Sequence, residues 1–269
     1  MLHNKKQNAF TLIELIIVIL LIGILSISFA KILTQSVSSY FDAKTRNHHS
    51  QSAKWVIEIL SRSLREALPQ SIRTNNSGDL YCLEYMPIVN ATSYFNLPAS
   101  GEVTSFNIVT YDIVFENDFS VAIMPISPAS LYAGTGVVAG ISSIASSGIG
   151  QSLLTLSNPT IFSQRSPQNR VYILTTPVSY CLDNSTGNIN KYINYPSTVN
   201  QQFPPNGSTS QAIAENFWAN VSVFDYQVGS LQRSALLQLN FVVQDRVRNP
   251  SGTSESVEVF HEVHIRNAP

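Results

Sequence analysis

The stretch Asn8-Ala9-Phe10-Thr11-Leu12-Ile13-Glu14-Leu15 opens a long apolar run that carries Glu14 near its start and no other charge before Lys31. From Phe10 to Ala30 the 21 residues are interrupted only by Thr11, Glu14, Gly23, Ser26 and Ser28. At about 1.5 Å per residue, a helix of that length spans a bilayer core of about 30 Å. The β-branched run 15–22 would also suit a buried strand, but a single segment crosses lipid only when its backbone bonds are satisfied internally, as in a helix. The spacing therefore predicts one transmembrane helix over residues 10–30. Its small residues, Gly23, Ser26, Ser28 and Ala30, permit close approach of another helix.

Lys5 and Lys6 precede the span, and Lys31 alone follows it closely. That bias favours a cytoplasmic N-terminus and export of the rest of the chain. A secretory signal is cut after its apolar region at a small residue, whereas here the small-residue boundary, Ala9-Phe10, lies before it. Glu14 costs several kilocalories per mole if it stays ionised and unpaired in lipid, so it needs a partner.

Phe10-Thr11-Leu12-Ile13-Glu14-Leu15 resembles the start of type IV pilins and of the pseudopilins of type II secretion. The resemblance implies cleavage between Ala9 and Phe10 by a membrane prepilin peptidase, which also methylates the new amine of Phe10. Ala9 departs from the glycine usual before the cut. The resemblance further implies that Glu14 pairs with the N-terminal amine of an adjacent subunit, a charge-assisted contact that rewards axial stacking. A neutral Glu14, or one that reaches the inner headgroups, is the reading without assembly.

Beyond the span, Trp55, Val56, Ile59, Leu60, Leu64, Ala67 and Leu68 recur at steps near three and four, with Lys54, Glu58, Arg62 and Arg65 between them. This predicts an amphipathic helix laid on a domain and stopped by Pro69. No proline or glycine interrupts residues 31–68, so one helix of about 80 Å is expected. The expected organisation is leader 1–9, transmembrane helix 10–30, helix extension 31–68 and an exported β-rich domain 69–269. The expected fold class is α+β, a long N-terminal transmembrane and amphipathic helix packed on an antiparallel-sheet domain of pilin type.

Strands are expected near 80–86, 105–115, 120–125, 170–176, 178–182, 219–227, 235–244 and 256–265. The last two read as antiparallel partners joined through Asn249-Pro250-Ser251-Gly252. Residues 133–150, rich in glycine and serine, read as a mobile loop, with an insertion packed on the sheet as the other reading. Their glycine spacing lacks the Lys-Ser or Lys-Thr of a phosphate-binding loop. Residues 184–210 read as a second turn-rich loop and a surface for partners.

Cys82 and Cys181, the two cysteines, each follow a tyrosine in a strand-like segment. Two thiols alone make a poor metal site. A disulfide in an oxidising compartment is the preferred reading, and two separate buried thiols the other.

Charged residues make up 12% of the chain, about half the usual share, and the formal charge is -1. No basic block tracks a phosphate backbone, so nucleic acid is not expected as a partner. His261-Glu262-Val263-His264 does not place two zinc ligands one helical turn apart, and Asp112, Glu116 and Asp118 lack the glycine and final glutamate of an EF-hand loop. No nucleophile elbow or Cys-His pattern appears, so no catalytic residue, metal or cofactor is expected.

The segments Ser61–Arg73, Cys82-Leu83-Glu84 and Pro177-Val178-Ser179-Tyr180-Cys181 resemble minor pilins of the mannose-sensitive haemagglutinin (MSHA) pilus and, more distantly, J-type pseudopilins. The resemblance implies a non-enzymatic minor subunit of an initiating, priming or tip complex rather than the repeated subunit of a shaft. Implied partners are the prepilin peptidase and N-methyltransferase, other minor pilins, the major pilin and an inner-membrane platform with its ATPase. The implied location is the inner membrane, single-pass with a periplasmic C-terminal domain, and then the tip of a pilus or pseudopilus. A type II secretion pseudopilin and a tip adhesin or surface-binding module are the alternatives.

Overall fold

A computed structural model describes residues 11–110, 115–219, 221–229, 233–245 and 255–265. They fall into two units, one of residues 1–48 with 247–255 and one of 49–246 with 256–269. Helix α1, Leu12–Arg65, begins in the first and ends in the second.

In the first unit α1 buries nothing: its apolar residues from Leu12 to Phe41 stand exposed, Leu12 at 77% and Ile27 at 76%. Ser26 and Ser36 donate to the carbonyls four residues earlier, so these hydroxyls are satisfied without water. Arg46 makes a two-nitrogen contact with Glu255 Oε2 (2.7 and 3.0 Å).

In the second unit the same helix buries His49, Ala53, Val56, Leu60 and Leu64. Their steps of three and four draw one stripe along the helix. Trp55, expected in that stripe, is 60% exposed, because the face is centred one position away. The helix ends at Arg65, and Leu68 is extended (φ -68°, ψ 116°), as the residue before a proline prefers. The exiting chain is tied to a later segment by Leu68 N–H to Met86 O (2.9 Å) and Ile88 N–H to Glu66 O (2.8 Å).

Strands β1 (Arg73–Ser77) and β2 (Leu80–Tyr85) form a hairpin. The chain then leaves this sheet and builds a closed six-stranded barrel. Its strands are β3 (Ile88–Phe95), β4 (Val103–Val109), β5 (Ser120–Ala122), β6 (Val138–Gly148), β7 (Gln151–Thr160) and β8 (Arg170–Leu174), with the short helix α2 (Pro128–Tyr132) between β5 and β6. Around the barrel the order is β3-β4-β7-β6-β5-β8. Tyr94, Phe106, Ile108, Ile141, Leu154 and Ile173 fill its interior.

The chain returns through β9 (Val178–Asp183), which pairs with β2, and continues as β10 (Asn188–Ile193) and β11 (Thr209–Ala214). The first sheet is thus β1-β2-β9-β10-β11, all antiparallel. A second sheet follows from β12 (Phe217–Trp218), β13 (Phe224–Gln227), β14 (Ala235–Gln244) and β15 (Ser256–Ile265). In it β14 pairs with β15 on one edge and with β12 and β13 on the other. The helix stripe, one face of each sheet and their apolar side chains share a single core that includes Leu60, Leu83, Tyr180, Leu239 and Phe241. The fold is therefore α+β, a long helix packed on antiparallel sheet.

The stretch 133–150, read as a loop, is largely strand β6. Ala139 and Ile141 point into the barrel, but register shifts at Ile141/Ser143 and Ser146/Gly148 break the alternation that would have marked a strand. Likewise 184–210 contains β10, and its later residues cover a sheet rather than hang free. The Asn249-Pro250-Ser251-Gly252 connection lies outside the described residues, although the β14–β15 pairing it serves is present.

Candidate assembly site

Glu14 sits in the first turn of α1, where its N–H bonds to Thr11 O (3.1 Å). A carboxylate near a helix N-terminus is favoured by the free N–H groups there. The side chains around it are apolar and exposed, and it makes no ion pair among the described residues. Ala9 and Phe10 lie outside the described residues, so cleavage and the Glu14–Phe10 pairing carry no geometry here. The helix is long and apolar enough to cross a membrane as one span. Left in water, such a surface would be costly at about 25 cal/mol per Å², so it calls for lipid or other helices around it.

The two cysteines stand directly opposite each other in β2 and β9 and are joined by a disulfide, Cα–Cα 4.1 Å. The bridge ties the strand that enters the barrel to the strand that leaves it. On the same face of the sheet, two residues along, Glu84 is 1% exposed. Arg73 Nε donates to one of its oxygens, and Tyr195 Oη donates to the other at 3.0 Å. Because the tyrosine proton is committed to Glu84, Ser179 Oγ donates to Tyr195 (2.7 Å).

Arg73 is held further by Val199 O and Thr198 O, and its guanidinium lies 3.6 Å from the centre of the Tyr132 ring. Gln201 Nε2 donates to Cys82 O (3.3 Å). This network ties residues 195–201 and the end of α2 to the β1–β2 hairpin. Burial, reinforced by the Glu84 charge, holds the Tyr195 and Tyr132 hydroxyls far above the usual tyrosine range. Only Cys82 and Cys181 among these residues stood out in the sequence. Glu84 and Arg73 share a hairpin (Arg73↔Glu84), which alternation alone does not reveal as a buried pair.

The remaining sequence candidates separate. Asp118 accepts from Thr175 Oγ1 (3.2 Å), Phe115 and Phe119 stack edge to face, and Asp112 lies outside the described residues. His261 and His264 fall on opposite faces of β15, His264 exposed. Among the described residues no group of three or more His, Cys, Asp and Glu side chains can hold a metal ion. A cleft of about 400 Å³ opens beside the barrel, lined by polar residues such as Asp118, Asn158 and Thr175 and by apolar ones such as Met86 and Val138.

A family described as the prokaryotic N-terminal methylation motif matches residues 4–30. No curated protein and no solved structure matches the chain. The matched motif, the apolar helix and the antiparallel domain make the chain a pilin-like or pseudopilin-like module. The motif implies processing by a peptidase and methyltransferase.

Proposed function

We propose that the chain is a minor pilin of the MSHA type, MshO-like, acting in initiation, priming or tip assembly of a type IV pilus. It is cut between Ala9 and Phe10, methylated on Phe10, and stored in the inner membrane with its C-terminal domain in the periplasm. There Glu14 awaits the Phe10 amine of a neighbouring subunit. The observation that carries this reading is the union of a methylation motif over residues 4–30 with an uncovered apolar segment of α1, residues 12–30, whose one acid is Glu14. An acid kept in such a segment is functional by default, and an amine made by cleavage is the partner of matching charge. Prepilin peptidase, other minor pilins, the major pilin and the assembly platform are its partners.

Mass spectrometry of the membrane-extracted protein tests the processing. Loss of residues 1–9 and an N-methylated Phe10 are expected, and an intact Met1 would overturn the reading. For Glu14→Ala, membrane insertion is expected to persist while incorporation with other minor pilins is lost. Unchanged incorporation would remove Glu14 from the mechanism. A pseudopilin of type II secretion carries the same motif and is separated by which filament the chain joins. The cleft beside the barrel favours a second reading, a tip module that binds a surface ligand, tested by glycan-array binding of the detergent-solubilised chain.

A further inference from the structure

Strand β15 ends the second sheet, and one of its two edges pairs with no strand among the described residues. Asn240 N–H donates to Val223 O and Gln244 N–H to Asn216 O, both at 3.0 Å and both on the side of β14 away from β15. A residue in an antiparallel ladder sends its N–H and C=O to the same side. The even-numbered residues of β14 therefore face β12 and β13, and the odd-numbered ones face β15. With Asn240 opposite Phe260, the N–H and C=O groups of Ser256, Glu258, Phe260, Glu262 and His264 point outward. No described residue bonds to them there.

This edge is long and regular, and charge is its one protection. It runs ten residues without a register shift and without proline, where strands commonly have about 5 to 6. The outward-bonding residues are also the ones with exposed side chains, and Phe260, at 64%, stands between Glu258 and Glu262. Opposite charges set across a strand pair attract and like charges repel. A second copy of the chain fits poorly, since the fully overlapped antiparallel register sets each Glu258 against the other copy's Glu262.

We propose that the outer edge of β15 takes up, by β-strand addition, an extended segment of another protein that carries Lys or Arg at two positions four residues apart, with an apolar residue midway. The basic residues face Glu258 and Glu262, the apolar one covers Phe260, and the main chain supplies the hydrogen bonds. The inference rests on the minor-pilin reading for the partner's being a neighbouring subunit. Its binding chemistry rests on β15 alone.

The test uses the full chain in detergent and a fluorescent peptide, Thr-Lys-Ile-Val-Ile-Lys-Thr. Saturable binding is expected, weakened about tenfold or more when both lysines become glutamates and abolished when the valine nitrogen is methylated. Phe260→Pro removes only an outward N–H, leaves the bonds to β14 in place, and is expected to abolish binding. Should that variant not fold, the exposed pair E258K/E262K serves, with an expected reversal of preference toward the glutamate peptide. Absence of saturable binding, equal binding of the two peptides, or self-association through β15 would overturn the proposal. Peptide binding by a chain that retains Met1 would sink the processing reading and leave this one standing. A processed, assembling chain that ignores the peptide would do the reverse.

Discussion

Two carboxylates in this chain sit in unlike surroundings, Glu84 buried in the sheet and Glu14 exposed on an apolar helix. Glu84 is neutralised inside the fold by Arg73 and Tyr195, while Glu14 has no ion-pair partner among the described residues. Removing one member of a buried pair strands the other, so Glu84→Gln is expected to lower unfolding free energy by about 3 kcal/mol. Tyr195→Phe, which deletes one hydrogen bond to the same group, is expected to lower it by about 1 kcal/mol. Urea denaturation followed by circular dichroism measures both, and Glu14→Ala is expected to leave the same transition unmoved. Glu14 was legible in the sequence because a lone charge in an apolar run is conspicuous whatever surrounds it. Glu84 was not, because Leu80-Tyr81-Cys82-Leu83-Glu84-Tyr85 looks like a strand with one wet face. That face is covered by residues 195–201, more than a hundred positions away, and only the fold brings them there.

Among the elements, α1 shows how a pattern can be read correctly in kind and wrongly in phase. The amphipathic stretch is a helix packed on sheet, yet Trp55 faces outward and Ala53 takes the inner place. Leu60→Ala is therefore expected to cost about 3 kcal/mol, and Trp55→Ala less than about 0.5 kcal/mol, by thermal or urea unfolding. The β9–β10 connection is tighter: Gly187 has φ +76°, and a Cβ there would meet Trp218 Cζ2 at 2.8 Å. Gly187→Ala combines a left-handed conformation with a clash and is expected to destabilise by about 2 kcal/mol. Strands with long runs of alternation, β14 and β15, were visible in the sequence. Strand β6 was hidden by its bulges, and β1, β10 and β11 by polar residues that pair through their backbones and bury little. The barrel itself had no sequence mark, since closure is decided by which strands meet and not by any one of them.

For the whole molecule, the buried tyrosines set an alkaline limit. Tyr85, Tyr132, Tyr180 and Tyr195 are all raised above the usual value, chiefly by burial. Their folded forms stay protonated where the unfolded chain ionises, so their contribution to stability is level below about pH 10 and falls above it, by up to about 1.4 kcal/mol per pH unit for each. The part of the tyrosinate absorbance that belongs to these four is expected to rise together with loss of circular dichroism rather than ahead of it. The disulfide closes a separation of 99 residues, and replacing both cysteines by serine is expected to cost up to about 4 to 5 kcal/mol. Its position has a mechanical meaning as well. Tension applied between the helix and the final strand passes from β2 to β9 through sulfur, so the barrel is a slack loop outside the load path. Stretched in a single-molecule instrument, the oxidised chain should come out shorter than the reduced one by on the order of 300 Å, the hidden length of a domain that can be pulled upon without being pulled apart.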